Sequence, residues 1–369
     1  MIKIFYDGVM FYKEKYGGIS NVYREILKRL SDNADFRCAI TLPNNNACEE
    51  ITKINKYLIP KIRPNRYYPY YWKILNEFYL NKFKPDIFHS TYYTEPIFNI
   101  KVKKILTIHD MINEIYCNYI NTKACNRFVK FKKHLVDNAD FIICVSNSTK
   151  NDVLNYYEVD SSKICVIYNS INEIFKGEES EDKKVIFRRK YELLRPYILY
   201  VGRIAGVHKN FALLLKSYVE NNLINSKRDL VIVSSDNYTS DESRQIDKFG
   251  PRIRKFAKLT VQELKMIYNC ADIFVYPSKY EGFGIPILEA MACGTPVLAS
   301  GTSSIPEVGG NAALYFDPNS YEDLYTKLKE LIESEVLKKR LIKSGYENIK
   351  RFSWEKNVGK LCEIYKTLC

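Results

Sequence analysis

The chain has 369 residues, of which 46% are hydrophobic, and a formal net charge of +13. This length exceeds one compact domain of usual size and favours two domains, each with its own core. No stretch approaches the roughly 18 to 20 apolar residues of a membrane span, and the N-terminal MIKIFYDGVMFYKEK has no signal-peptide core, which excludes integral membrane and secreted proteins and predicts a cytoplasmic one.

The first half of the chain alternates short apolar runs with helical stretches. The runs IKIFYDG, DFRCAITLP, PDIFHSTYY, KKILTIHD, ADFIICVS and KICVIYNS predict strands, and stretches such as ISNVYREILKRLS predict helices between them. Apolar strands that alternate with helices are typical of a parallel sheet covered on both faces. Residues 1–171 are therefore predicted to form one doubly wound, Rossmann-like domain.

The same alternation restarts after the polar tract at 172–184. YILYVGR, DLVIVSSD, IRKFAKL, DIFVYPS, PVLAS and AALYFDP predict strands of a second doubly wound domain over residues 172–351. A helix break near Phe352, with an N-cap at Ser353, predicts a final helix over 352–369 that returns to the first domain. Ligands of such sheets bind beyond the carboxyl ends of strands, which predicts a site in the cleft between the domains.

The stretch YEGFGIPILEAMACGTPVLAS (280–300) has the pattern of a loop, a helix and a strand. Pro286 suits the first turn of a helix and Gly294 its end, so a helix is predicted over about 286–293. Gly282 and Gly284 lie in the loop that enters this helix, where the backbone can approach an anion. Glu281 and Glu289 would be repelled by that anion, so we expect them to accept hydrogen bonds from ligand hydroxyls. These features indicate a sugar nucleotide.

Three further sets of residues follow predicted strands. Gly17 and Gly18 precede a helix and are either a phosphate loop or an ordinary turn. His109 ends a strand and is either functional or a structural donor. Arg203 ends the predicted strand YILYVGR, and Lys209 lies six residues later at the start of a predicted helix. A bound anion explains cations near a helix N-terminus better than helix stability does, although a solvated pair is the alternative.

Basic and aromatic residues are mixed in two segments, 63–83 and 126–135. Such segments lie on an anionic membrane surface, hold a phosphate-bearing substrate, or are solvated helix faces with tyrosines packed behind them. Nucleic acid is not expected as a partner, because no recognised binding module is present. The ten cysteines form no C-x-x-C pair, so no zinc site is predicted.

The order of these motifs resembles a known family. Gly-Gly, TIHD, VSNST, VGR-x5-K and YEGFGIPILEAMACGTPV, followed by SSIPEVGG-x3-LYFDP, are similar to the retaining glycosyltransferases of family 4, which have the GT-B architecture. The resemblance spans nearly the whole chain. FHSTYYTEP, ahead of TIHD, is similar to members that build bacterial surface polysaccharides, often from GDP-mannose.

The resemblance implies a role for each matching position. Arg203 and Lys209 match the basic pair that binds the donor diphosphate, Glu289 the acid that holds the ribose hydroxyls, and Glu281 the acid nearest the transferred sugar. His109 matches a histidine that orients the sugar and stabilises charge. Backbone N–H groups that bind sugar and phosphate are implied at Gly282, Phe283, Gly284 and Ile285. Gly18 matches the loop of the N-terminal domain that closes over the phosphates, and Gly17 beside it is implied to bind the donor as well.

The family's mechanism is front-face transfer, in which the leaving phosphate takes the acceptor's proton. No residue here matches a carboxylate nucleophile, and no D-x-D triplet is present, so the resemblance implies a retaining reaction with no metal or other cofactor. Arg203 and Lys209 would supply the positive charge instead. The acceptor implied is a glycan or a lipid-linked glycan. The resemblance also implies that the domain 1–171 is the acceptor side and the domain 172–351 the nucleotide-sugar donor side. The segment RIAGVHK does not predict where His208 lies relative to the donor phosphates. Residues 257–260, where the nucleotide base is expected to bind, do not distinguish guanine from uracil.

Other classes of protein share parts of this pattern. A periplasmic binding protein has the hinged α/β layout but would carry a signal peptide. A phosphorylase needs pyridoxal phosphate, which an absorbance spectrum reveals. A GT-B epimerase would consume sugar nucleotide without an acceptor, and a catalytically silent binding subunit would bind no nucleoside diphosphate.

Overall fold

The computed structural model describes residues 1–13, 17–43, 48–59, 68–96, 101–120 and 122–369. The chain forms two compact units. The N-terminal unit consists of residues 1–169 and 353–369, and the C-terminal unit of residues 170–352.

The described part of the N-terminal unit contains a seven-stranded parallel sheet in the order β3-β2-β1-β4-β5-β6-β7. Its core combines apolar side chains of the strands with those of the covering helices. The strands are β1 (Ile2–Tyr6), β2 (Phe36–Pro43), β3 (Asn55–Ile59), β4 (Ile87–Ser90), β5 (Lys103–Ile108), β6 (Phe141–Cys144) and β7 (Ile164–Val166). The first six helices are α1 (Val9–Lys13), α2 (Gly18–Ser31), α3 (Tyr68–Phe83), α4 (Ile112–Ile120), α5 (Lys123–Asp137) and α6 (Asn147–Tyr156).

The C-terminal unit repeats this arrangement with a six-stranded parallel sheet in the order β10-β9-β8-β11-β12-β13. The strands are β8 (Tyr197–Val201), β9 (Asp229–Val233), β10 (Ile253–Phe256), β11 (Ile273–Tyr276), β12 (Val297–Ser300) and β13 (Ala313–Phe316). The helices are α7 (Glu181–Lys190), α8 (Phe211–Glu220), α9 (Asn222–Lys227), α10 (Ser240–Asp247), α11 (Val261–Cys270), α12 (Ile285–Ala292), α13 (Ile305–Gly309), α14 (Tyr321–Glu333) and α15 (Glu335–Asn348).

The last helix, α16 (Trp354–Leu368), belongs to the N-terminal unit. It begins where predicted, with the Ser353 hydroxyl accepting a hydrogen bond from the Lys356 N–H at 3.4 Å. Its buried face packs into the core beside β1 and α2. The Tyr365 hydroxyl lies 2.5 Å from that of Tyr6 and 2.7 Å from Nδ1 of His89.

The predicted fold class, with two Rossmann-like parallel-sheet domains, is confirmed. Each sheet reverses its strand order once, between β1 and β4 and between β8 and β11. Ligands of open α/β sheets bind at the carboxyl ends of the strands at such points. β3 was not predicted, because its exposed and half-buried residues at the edge of the sheet lack the apolar run of a central strand.

Candidate functional site in the C-terminal unit and His109

The loop between β11 and α12 has the shape that its sequence predicts. α12 starts at Ile285, one residue before the predicted start, with Pro286 in its first turn. Gly284 precedes the helix with φ 109°, a conformation that favours glycine. A Cβ there would also lie 3.3 Å from Cδ1 of Ile287. The backbone of Gly282, Phe283 and Gly284 therefore turns sharply into a helix N-terminus.

Two serines hold this loop in place. The Ser304 hydroxyl lies 2.8 Å from the carbonyl of Glu281 and 2.9 Å from that of Phe283, so its hydrogen is shared between them. The N–H of Glu281 donates to the Ser303 hydroxyl at 3.0 Å. Neither serine has a predicted role, although the SSIPEVGG motif contains both.

Lys209 and Glu281 form an ion pair. Nζ of Lys209 lies 2.7 Å from Oε1 of Glu281, and the side chains are only 16% and 11% exposed. Burial alone would raise the pKa of Glu281, but the Lys209 ammonium holds that pKa below its usual value. Glu281 therefore carries its negative charge at neutral pH, and its counter-charge comes from Lys209.

The turn before α8 places Lys209 beside the loop. Lys209 ends a short 3₁₀ turn, two residues before the start of α8. Asn210 follows in a left-handed conformation, and its amide donates to the carbonyls of Pro277 and Pro318 at 3.1 and 2.9 Å. The His208 carbonyl accepts from the N–H of Lys279 at 2.7 Å. Backbone and amide contacts thus fix the position of the ammonium group.

Arg203 follows β8 and has a looser environment. Its side chain is 72% exposed, and Nε lies 3.4 Å from Oδ2 of Asp236. The same carboxylate oxygen accepts from the N–H of Ala205 at 2.9 Å. Tyr200 donates to the Arg203 carbonyl at 2.5 Å. Burial raises the pKa of Tyr200, and the nearby charge of Glu281 adds to this. Arg203 is therefore open to solvent. It follows β8, and Glu281 follows the neighbouring parallel strand β11, so both residues lie beyond the same edge of the sheet.

Glu289 lies in α12 and is partly buried. The Tyr268 hydroxyl donates to Oε2 of Glu289 at 3.0 Å. Loss of hydration raises the pKa of Glu289 to about 7, and the Tyr268 hydrogen bond only partly opposes this. Glu289 changes charge near neutral pH.

This pKa gives a prediction for nucleoside binding. If Glu289 accepts hydrogen bonds from ribose hydroxyls, affinity for guanosine is expected to increase as pH rises through about 7, because the carboxylate is the better acceptor. Calorimetric titration across this range checks it, since guanosine has no phosphate to titrate. Glu289→Gln should abolish the dependence, and 2′,3′-dideoxyguanosine should not show it. A pH dependence that survives in Glu289→Gln would contradict the assignment.

His109 follows β5 in the N-terminal unit and is buried. Burial lowers its pKa to about 4, with Asp110 partly opposing this, so the imidazole is neutral at physiological pH. The ring bonds to the Thr91 backbone, while Nε2 is buried with no hydrogen-bond partner among the described residues. A neutral histidine of this kind can accept a hydrogen bond from a sugar hydroxyl but is a weak base.

Gly17 and Gly18 form the N-terminus of α2 in the N-terminal unit. Gly17 is the N-cap, its N–H donates to the Ser20 hydroxyl at 2.8 Å, and α2 begins at Gly18. A Cβ at Gly18 would meet no atom within 4 Å, so this position is open. Phosphate binding here stays a prediction.

The structure thus brings together, within the C-terminal unit, the predicted residues Lys209 and Glu281 and the loop 282–285. The side chains of the other two predicted residues of this unit contact different groups: Arg203 contacts Asp236 and Glu289 contacts Tyr268. Cationic groups, backbone turning into a helix N-terminus and a charged carboxylate suit a ligand with phosphates and hydroxyls. The partners Asp236 and Ser304 and the pairing of Lys209 with Glu281 were not predicted.

Comparison with known proteins agrees with this chemistry. Residues 16–173 match the family model described as Glycosyltransferase Family 4, and residues 182–348 the model described as Glycosyl transferases group 1. The chain is 30% identical to O-antigen chain mannosyltransferase RfbU of Salmonella typhimurium over 279 residues, 73% of this chain and 72% of the relative. It is 28% identical to O-antigen chain mannosyltransferase B of Escherichia coli, over 78% of this chain and 76% of the relative.

The fold also matches a solved structure with a bound sugar nucleotide. HepE of Anabaena in complex with UDP-glucose superimposes with a TM-score of 0.80 and 15% identity, over 100% of both chains. The fold and site define a glycosyltransferase of the GT-B class. The chain belongs to glycosyltransferase family 4.

Proposed function

We propose that this glycosyltransferase moves mannose or a related sugar from a GDP-sugar, with UDP-sugars as the second choice, to a glycan or lipid-linked acceptor in surface polysaccharide synthesis. The observation that carries the proposal is the buried pair of Lys209 and Glu281 at 2.7 Å, beside a loop that turns into a helix N-terminus. Two relatives named as O-antigen mannosyltransferases support the choice of sugar.

The proposed reaction retains the configuration of the sugar and uses no metal. The bond from the anomeric carbon to the diphosphate breaks, the acceptor oxygen bonds to the same face, and the leaving phosphate takes the acceptor's proton. Lys209 and Arg203 stabilise the charge on the leaving group. Glu281 stabilises positive charge on the ring, Glu289 holds the ribose, and His109 orients the sugar through Nε2.

The choice of base is tested by calorimetric titration with GDP, UDP and ADP side by side. We expect GDP to bind most tightly and UDP second. Tight binding of ADP alone would contradict this order, and no binding of any of the three would indicate a catalytically silent subunit. Loss of GDP-mannose without an acceptor, giving an epimeric sugar nucleotide, would indicate an epimerase instead.

Peripheral contact with an anionic membrane is part of the same proposal. α3 carries Tyr70, Ile74 and Phe78 four residues apart on one face, with exposures of 72%, 63% and 58%. Lys73 and Lys82 are exposed on either side of this stripe. An apolar stripe flanked by lysines suits the interface of an anionic bilayer. None of the helices within the described residues is long and apolar enough to cross a membrane.

Vesicle flotation tests this surface. We expect binding to vesicles of phosphatidylglycerol and phosphatidylcholine but weak binding to phosphatidylcholine alone, with loss at high salt because the lysines are exposed. Ile74→Ser combined with Phe78→Ser should abolish binding. Leu194→Ser combined with Val336→Ser, at positions 74% and 82% exposed in the C-terminal unit, should not. Equal loss in both pairs would rule out α3 as the docking surface.

A further inference from the structure

A fully buried ion pair lies beside the turn that follows His109 in the N-terminal unit. The side chains of Lys132 in α5 and Glu114 in α4 are 0% and 1% exposed, and Nζ of Lys132 lies 3.1 Å from Oε2 of Glu114. The neighbouring basic residues Lys130 and Lys133 of α5 are exposed to solvent instead. The function proposed above assigns no role to the buried pair.

The ammonium group of Lys132 has three contacts for its three hydrogens. Besides Glu114, Nζ donates to the backbone carbonyl of Asp110 at 2.6 Å. It also lies 4.7 Å from the centroid of the Tyr93 ring, within the range of a cation–π contact. A carboxylate, a carbonyl and an aromatic face together therefore satisfy the buried charge. The carbonyl and the ring both lie next to His109, since Asp110 follows it and Tyr93 binds its backbone.

The carboxylate of Glu114 is held at both oxygens. The hydroxyl of Tyr157, the residue after α6, donates to Oε1 at 2.6 Å, while Oε2 accepts from Lys132. Glu114 lies in the first turn of α4, where the helix dipole favours a carboxylate. Asp110 binds the start of the same helix, since its Oδ1 accepts from the N–H of Ile112 at 3.2 Å. Residues of α4 and α5 and the end of α6 thus meet at the turn between β5 and α4.

These contacts hold the backbone on both sides of His109 and Asp110. The Tyr93 hydroxyl accepts from the N–H of His109 at 3.3 Å and donates to the Asp110 carbonyl, also at 3.3 Å. Lys132 binds the same carbonyl from α5. Nε2 of His109 has no hydrogen-bond partner within the part of the chain that the structure describes, so the backbone and the bond to the Thr91 backbone orient the ring. A shift of the Asp110 carbonyl is therefore expected to move the imidazole as well.

Fold stability alone does not account for two charges at this position. Burying a lysine and a glutamate costs hydration free energy, and neutral residues of similar volume are often equally stable or more so. A neutral pair could join α4 to α5, but it would not offer the Asp110 carbonyl a charged donor at 2.6 Å. The ammonium also acts on the imidazole itself. Burial is the main cause of the lowered pKa of His109, and the charge of Lys132 lowers that pKa further.

We propose that the Lys132–Glu114 pair positions His109 for glycosyl transfer. Lys132 fixes the Asp110 carbonyl. Glu114 and Tyr157 fix Lys132 in turn, so Nε2 of the imidazole stays where it can accept a hydrogen bond from a hydroxyl of the donor sugar. Because both side chains of the pair are fully buried, they act on a substrate only through His109. The inference rests on the role proposed above for His109 in orienting the sugar.

A double variant tests the pair without leaving one charge buried alone. Lys132→Met with Glu114→Gln nearly keeps the size of both side chains, and its melting temperature is checked against the parent. Single-turnover hydrolysis of GDP-mannose, with water as the acceptor, should slow about 10- to 100-fold, the scale of a small misplacement of a catalytic group. Calorimetric GDP affinity should not change. Lys338→Met is the matched control and should leave the rate unchanged, since this lysine is 4% exposed in the C-terminal unit and its partner Asp272 keeps Arg228 at 2.8 Å.

Removal of His109 separates positioning from a purely structural role. In a His109→Ala background, Lys132→Met with Glu114→Gln should slow hydrolysis by no more than about twofold, because changes that act through one group are not additive. Tyr93→Phe removes the hydroxyl that binds both peptides and leaves the charges in place. It should show the same dependence on His109, and it decides the question if the double variant is unfolded. An equal loss with and without His109, no loss with His109 present, or a His109→Ala variant as fast as the parent would overturn the proposal.

NMR of the histidine rings tests the position of His109 without any substrate. The chain has four histidines, and the His109→Ala variant identifies the ring signals of His109 among them. The double variant, or Tyr93→Phe in its place, should shift the ring nitrogen signals of His109 and leave those of His208, in the C-terminal unit, unchanged. Calorimetric GDP binding without any shift at His109 overturns this inference and leaves the proposed glycosyl transfer intact. A shift at His109 without binding of GDP, UDP or ADP supports the positioning and refutes the proposed donor.

Discussion

Glu281→Gln is expected to lower the single-turnover rate with GDP-mannose by about 10²- to 10⁴-fold, the scale of one preorganised electrostatic contact. Glutamine keeps the size of the side chain but removes the negative charge. In the parent enzyme, that charge is expected to stabilise the sugar ring as the ring becomes positive in the transition state. The affinity for GDP should change only a few-fold, because the effect belongs to the transition state. Single-turnover kinetics and calorimetry on the same variant measure the two quantities.

Glu289→Gln is the matched control, since it makes the same chemical change in α12. It should raise the Michaelis constant for the donor and change turnover little, because ribose is held equally in the ground and transition states. The structural alternative is that Glu281 serves only to neutralise Lys209 within the fold. A Glu281→Gln variant that turns over normally, or one whose rate falls only in step with its melting temperature, removes Glu281 from the mechanism.

Lys209→Ala is expected to weaken GDP binding by about 1.5 to 3 kcal/mol, or roughly 10- to 150-fold, as for the loss of one charge-assisted hydrogen bond. Guanosine, which lacks the phosphates, should bind the variant and the parent equally. Calorimetry with the two ligands separates a phosphate contact from a general disturbance. Equal weakening of guanosine binding would make Lys209 a structural residue.

The ion pair adds a second effect to this variant. Removing Lys209 leaves the Glu281 carboxylate mostly buried without its counter-charge, which costs stability. The cost should be smaller than for a fully buried pair, since both side chains retain some exposure. Adding Glu281→Gln to Lys209→Ala should restore the melting temperature without restoring GDP affinity. Recovery of both together would mean that the affinity loss came from the fold.

Much of the fold could be predicted because its signals are local. Each central strand is an apolar run bounded by polar or glycine residues, and Pro286 and Gly294 bracket α12 to within one residue. β3 was not predicted from the sequence, because an edge strand is not buried on both faces and so does not need a continuous apolar run. The helix break at Ser353 is equally local, since the capping hydroxyl bonds three residues ahead.

The contacts that organise the site are not local. Lys209 meets Glu281 across 72 positions of sequence, and Ser304 reaches back 23 positions to the Glu281 carbonyl. The order of the motifs could indicate that these residues bind the same ligand. It could not indicate that Lys209 and Glu281 form an ion pair with each other. The cavity of the N-terminal unit that is lined by Asp7, Trp72 and Tyr93 was not predicted for the same reason. Its walls come from segments that only the sheet order brings together.

The packing of α16 has a consequence for how the chain folds during synthesis. The C-terminal unit is one continuous segment, residues 170–352, and can complete its core as soon as that segment has left the ribosome. The N-terminal unit cannot, because Tyr365 supplies the hydroxyl that meets Tyr6 and His89 in its interior. Residues 1–169 are synthesised first but cannot complete their core until residues 353–369 have been made. Until then, part of the apolar surface of the N-terminal unit stays exposed.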